Sequence, residues 1–106
     1  MDGLELICFQ MITAAGGARS SFIEAIQQAK AGDIEAAKKS MEEGEEMFVE
    51  GHKAHGQLIA KEADGKGETP NLLLVHAEDQ MMSAETFQIL ANEFIDLYTQ
   101  LQGEKK

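Results

Sequence analysis

The sequence predicts an all-α protein, an antiparallel three-helix bundle. Three observations carry that expectation. Proline occurs once in 106 residues, while the helix formers Ala, Glu, Lys, Leu and Gln are abundant. Apolar residues recur every three or four positions along three long segments. The breaks between those segments are short and carry Gly, Asp, Pro and Asn, the residues suited to helix ends.

The first helix is expected from about Leu4 to Lys30. Leu4, Ile7, Met11, Ala14, Ala18, Phe22, Ala25 and Ile26 give its apolar face. Gly16-Gly17 interrupts the pattern and is a place for a bend. Gly32 suits a left-handed C-terminal cap, and Asp33 suits the N-cap of the next helix. So short a connection makes the two helices antiparallel neighbours.

The second helix is expected from about Ile34 to Glu62, with Ile34, Ala37, Met41, Phe48, His52, His55 and Ile59 along one side. Glu42, Glu43, Glu45, Glu46 and Glu50 read as a solvated face. Gly44, Gly51 and Gly56 each weaken the helix by about 1 kcal/mol relative to Ala, and they suggest close packing. ADGKGETPN, from Ala63 to Asn71, is the one clear loop. The third helix starts near Pro70 or Asn71 and runs to about Leu101, roughly 45 Å at 1.5 Å per residue. The tail GEKK reads as frayed. One domain spans 1–106, with no repeat or low-complexity tract.

The formal net charge of −10 excludes a protein built to hold a phosphate backbone, which needs a basic stripe. It also suits an anionic membrane surface poorly. It does suit a basic protein partner. Cys8 is the only cysteine, so no internal disulfide can form, and a buried reduced thiol is expected. The apolar patch LICFQMI follows acids at Asp2 and Glu5, without the basic flank of a signal peptide. No run reads as long enough to span a bilayer. A cytoplasmic setting follows from these features.

The third helix carries the chemistry. Phe87, Leu90, Phe94, Leu97 and Leu101 form an apolar stripe expected to face the core. Extended toward the N-terminus at about 100° per residue, that stripe meets Ser83, Gln80, His76 and Leu73. A second stripe holds Leu72, Val75, Asp79 and Met82, so Asp79 stands where an apolar residue is expected. Leu74, Met81, Ile89 and Ile95 lie elsewhere on the helix, more apolar surface than one bundle covers. Self-association buries the excess. In a symmetric ring the Asp79 carboxylates converge and repel, and an oxygen-ligated cation relieves that repulsion.

LLLVHAEDQMMSAETF, from Leu72 to Phe87, resembles the active segment of the lactose/cellobiose-family IIA components of the sugar phosphotransferase system. That pattern is an apolar run, then His, a small residue, Gln, Asp, His, an apolar pair and Ser or Thr. GGARSSFIEAIQQAKAGDIEAAKKSMEEG resembles the family's first two helices and tight turn. GHKAHGQLIAKEADG resembles its stretch of small residue, His, two residues and Gln-Thr, with an acidic-glycine loop after it. The matches fall in order over nearly the whole chain.

The resemblance implies three antiparallel helices assembled as a homotrimer. It implies a phosphoryl carrier that accepts from the phosphocarrier protein HPr and passes the group to a cysteine of the IIB component. The membrane IIC component then imports and phosphorylates a β-linked disaccharide of the lactose, cellobiose or chitobiose class. The phosphorylated histidine falls on His76. The trimer-axis ligand of a divalent metal ion, such as Mg2+, falls on Asp79. No organic cofactor is implied. The chemistry suits imidazole, whose neutral ring is nucleophilic near pH 7 while its second nitrogen is held by a hydrogen bond.

Three places depart from the pattern. Glu78 occupies the usual Gln position, Gln80 the usual second His position, and His55-Gly56 the usual Gln-Thr. Glu78 brings negative charge near an incoming phosphoryl group unless it is neutralised or points away. Gln80 still donates a hydrogen bond but does not titrate. His55 is a candidate donor toward the phosphoryl group, beside the patterned His52. These changes motivate an alternative, a regulatory or binding relative that is not phosphorylated. A third reading is a helical metal centre of His52, His55, His76 and Asp79. The bland readings are a satisfied core histidine at His76 and two exposed polar residues at His52 and His55.

Overall fold

The computed structural model describes residues 3–104. Three helices follow in order: α1 (Gly3–Lys30), α2 (Ile34–Ala63) and α3 (Leu72–Glu104). No strand occurs among the described residues. The fold is elongated, 59 × 22 × 20 Å. α1 packs along both other helices, whereas α2 and α3 meet each other only along a narrow seam. α3 runs three residues past its expected end. Of the tail expected to fray, Lys105 and Lys106 lie outside the described residues.

The helix ends follow local chemistry. Gly32 takes φ +95°, and its N–H donates to Ala29 O while the Asp33 N–H donates to Gln28 O. That pair of bonds closes α1 in a Schellman motif. Asp33 then caps α2 by accepting from the Ala36 N–H at 3.0 Å. The same motif ends α2: Gly65 takes φ +76°, Gly65 N–H reaches Glu62 O and Lys66 N–H reaches Lys61 O. Asn71 caps α3, its side-chain oxygen 2.9 Å from the Leu74 nitrogen. Gln102 donates to Gly32 O at 2.7 Å and ties the end of α3 to the α1–α2 turn.

The core is built largely from alanine. Ala15, Ala18, Ala25 and Ala29 of α1 are buried, as are Ala77, Ala84 and Ala91 of α3. Phe22, Met11 and Cys8 are its largest fully buried side chains. Gly16-Gly17 does not interrupt α1, which is helical throughout. Two of the three α2 glycines admit a neighbour. A Cβ on Gly44 would stand 2.6 Å from Phe22 Cε1, and one on Gly51 3.1 Å from Met81 Sδ. Gly56 faces open space, against the expectation of close packing there.

Two expected faces shift. On α2 the buried side is Ala37, Ser40, Met41, Gly44, Phe48, Gly51, Ala54 and Leu58, with His52 and Ile59 exposed. On α3 the predicted core stripe turns outward after Phe87, which is half-buried against the core: Leu90, Phe94, Leu97 and Leu101 are all exposed. The core face is one residue around, on Ala77, Met81, Ala84, Ala91 and Ile95. The reason is size. Alanines fill the buried faces of α1 and α3, and most of the large side chains of the outer stripe stay outside. α1 also corrects the reading that no run is long enough for a bilayer. By length and a mean hydropathy of 1.2 over 18 residues it is. Its Ile7, Cys8, Met11 and Phe22 are instead buried against the other helices.

Candidate functional site

Ala77 is fully buried, so it marks the direction from α3 to the core. At about 100° per residue, His76 and Glu78 project on opposite flanks of that direction, and Asp79 projects away from the core. The neighbours agree with this. Glu78 turns to α2, where His55 Nε2 lies 2.8 and 2.9 Å from its two carboxylate oxygens. The His76 stripe continues through Gln80 to Ser83, whose hydroxyl accepts from Arg19 Nη1 of α1 at 3.2 Å.

His76 is exposed on the second turn of α3. Neither ring nitrogen has a hydrogen-bond partner among the described residues, so the orienting bond expected at the ring is not made by them. Asp79 is exposed and likewise unpartnered among the described residues. Gln80 is half-buried and makes no side-chain hydrogen bond there. Glu78 is hydrogen-bonded to His55 and turned away from His76, which weakens the like-charge objection to a phosphoryl group at His76.

The other histidine is occupied locally. His52 lies against Phe48, ring centroids 4.4 Å apart, and its Nδ1 is 3.1 Å from Phe48 O. The carbonyl can only accept, so Nδ1 carries the proton. His52, His55, His76 and Asp79 do not gather: no metal-holding group of three or more His, Cys, Asp or Glu occurs among the described residues. The single-chain metal centre is therefore set aside. A groove of about 860 Å³ between α1 and α2 is lined by Leu6, Phe9, Thr13, Met47, Ala54 and Gln57, and holds none of the predicted site residues.

Sequence reasoning missed the meeting of His55 and Glu78. Both stood out singly as departures. The signal available was their place on adjacent antiparallel helices, each one turn beyond the Gly51–Met81 approach.

Residues 6–99 match the family model for the lactose/cellobiose-specific IIA subunit of the phosphotransferase system. The chain is 39% identical to the lichenan-specific phosphotransferase enzyme IIA component of Bacillus subtilis, covering 98% of this chain and 94% of that protein. It is 34% identical to the lactose-specific EIIA component of Staphylococcus aureus, covering 92% and 94%. Among solved structures it resembles a cellobiose-specific enzyme IIA from Bacillus anthracis, with TM-score 0.93, 42% identity, and 97% and 94% coverage. It also resembles a structure described as the IIA(Chitobiose)–HPr complex, with TM-score 0.83, 31% identity, and 96% and 99% coverage. A match across both helical hairpins and the His76 segment leaves one assignment: the chain belongs to the lactose/cellobiose-specific IIA family of the phosphotransferase system.

Proposed function

We propose that the chain is a phosphoryl carrier with His76 as the acceptor. The observation that carries the reading is an exposed imidazole, both nitrogens free of protein partners among the described residues, in the segment Leu72 to Phe87 that resembles the family's active segment and lies within the matched residues 6–99. A neutral ring nitrogen attacks the phosphorus of phosphorylated HPr. A new nitrogen–phosphorus bond forms as the donor's nitrogen–phosphorus bond breaks. The group then passes to a thiolate of the IIB component, which serves the IIC permease during uptake of a β-linked disaccharide. Such transfer depends on positioning and charge stabilisation more than on covalent chemistry by the protein. The partners place the carrier in the cytoplasm.

The working form is a homotrimer. α3 exposes Leu72, Val75, Met82, Ile89, Leu90, Phe94, Leu97 and Leu101, more apolar surface than a lone helical bundle leaves to water. Burial of that face brings the unpartnered Asp79 carboxylates of three copies together. Their oxygens suit a hard divalent cation such as Mg2+, which relieves their repulsion. One Asp79 per chain fits such an ion only in the assembly. The same assembly supplies groups from a neighbouring copy to a His76 ring that the described residues leave unheld.

Radiolabelled phosphoenolpyruvate with enzyme I and HPr tests the reading. Label should move onto the chain, then leave it when a IIB component of this class is added. Label that stays on the chain in the presence of an active IIB component would contradict onward transfer, and only a chain that takes up no label would favour the regulatory relative. An unlabelled chain, beside an active control IIA, would exclude the carrier role.

A further inference from the structure

The first turns of α3 are held lightly. Between Leu72 and Gln80 only Ala77 is buried; Leu73 and Leu74 are half-buried, and Leu72 and Val75 are exposed. The Ala77 methyl, with Leu73 and Leu74 packed against the core from its flanks, resists separation of the helices, but apolar contacts set rotation less sharply than a directional bond does. The polar ties from α1 and its turn to α3 lie further along, at Ser83 and Gln102. Within 72–80 the one tertiary hydrogen bond among the described residues is His55 to Glu78. It is also the sole α2–α3 hydrogen bond among them. The imidazole N–H meets both carboxylate oxygens, so the contact fixes direction as well as distance. The two side chains are 25% and 42% exposed, partly shielded from water and salt.

We propose that His55 and Glu78 form a positioning latch that sets the rotation of the first turns of α3, and through it the aim of His76. This rests on the carrier reading of His76. Neither latch residue touches the phosphoryl group. Glu78 is held on the α2 flank, and His76 points from the opposite flank, so rotation about the helix axis moves both together. Side-chain atoms lie about 5–6 Å from the axis, so a turn of roughly 10° displaces the His76 ring by about 1 Å. A misplacement of that size can cost about 100-fold in rate. A latch remote from the reacting atoms therefore controls the chemical step without contributing to the docking surface.

The test compares Glu78→Ala, Glu78→Gln, His55→Ala and the double alanine variant. Transfer from phosphorylated HPr should lose about tenfold or more in kcat in either alanine variant, with KM within about twofold. Glu78→Gln keeps an acceptor oxygen for His55 and should recover most of the rate. The double variant should be no slower than the singles, as for two halves of one contact. Amide exchange over residues 73–80 should quicken in Glu78→Ala and stay unchanged in the rest of α3. An alanine variant at wild-type kcat would overturn the latch, as would multiplicative losses in the double variant or a Gln variant no better than Ala. Should the wild type take up no phosphate, the carrier reading fails. Amide exchange then decides the latch alone: quickened at 73–80 upholds it, unchanged removes it.

Discussion

At the scale of single residues, what decides the site is which polar groups already have partners. Glu78 is occupied by His55, and His52 by Phe48. His76 and Asp79 are left to act outward. His52→Gln is accordingly expected to leave phosphoryl transfer within about twofold, while costing about 1 kcal/mol in a denaturation titration through the lost ring contact and hydrogen bond. A tenfold loss of transfer would return His52 to the site. The sequence made His76 and Asp79 visible because their motif is local to two turns of one helix. The His55–Glu78 contact was not visible without the pairing of two helices. Two residues 23 positions apart on different helices meet only once the α2–α3 register is set, a register in which Met81 lies over Gly51.

At the scale of the elements, glycine on α2 serves packing at one position and nothing at another. Gly44→Ala puts a Cβ against the Phe22 ring, which cannot retreat from a filled core. Its overpacking cost of about 1–3 kcal/mol exceeds the roughly 1 kcal/mol gained in helix propensity. Gly56→Ala meets open space and keeps the gain, so it should stabilise by up to about 1 kcal/mol. Thermal unfolding of the two variants should therefore shift in opposite directions; a shared sign would contradict the packing at Gly44. The helix count, the tight turn at Gly32-Asp33 and the Asn71 start could all be read from sequence, since caps are local chemistry. The facing of α3 could not. Ala77, Met81, Ala84, Ala91 and Ile95 repeat with the same spacing as the larger outer stripe, one residue away. Hydrophobic size alone favoured the wrong one. What separates them is that the smaller residues of α3 lie in an alanine-rich core.

At the scale of the whole molecule, the outer stripe becomes the evidence for assembly. Leu90, Phe94, Leu97 and Leu101 lie exposed along the second half of α3. Phe94→Glu adds charge to that face without entering the core, since Phe94 is itself exposed. Sedimentation should show it as a folded monomer where the wild type is a trimer. Wild-type unfolding should also depend on protein concentration. A monomeric wild type would remove both the axis cation and the shared site.

The most direct measurement is the intact mass of the wild type after phosphoenolpyruvate, enzyme I and HPr, with His76→Ala and His55→Ala run beside it. The expected result is one acid-labile phosphoryl group per chain, absent in His76→Ala and still acquired, more slowly, by His55→Ala. A phosphoryl group retained by His76→Ala, or none on the wild type while a control IIA is phosphorylated, would contradict the assignment of His76 as the carrier.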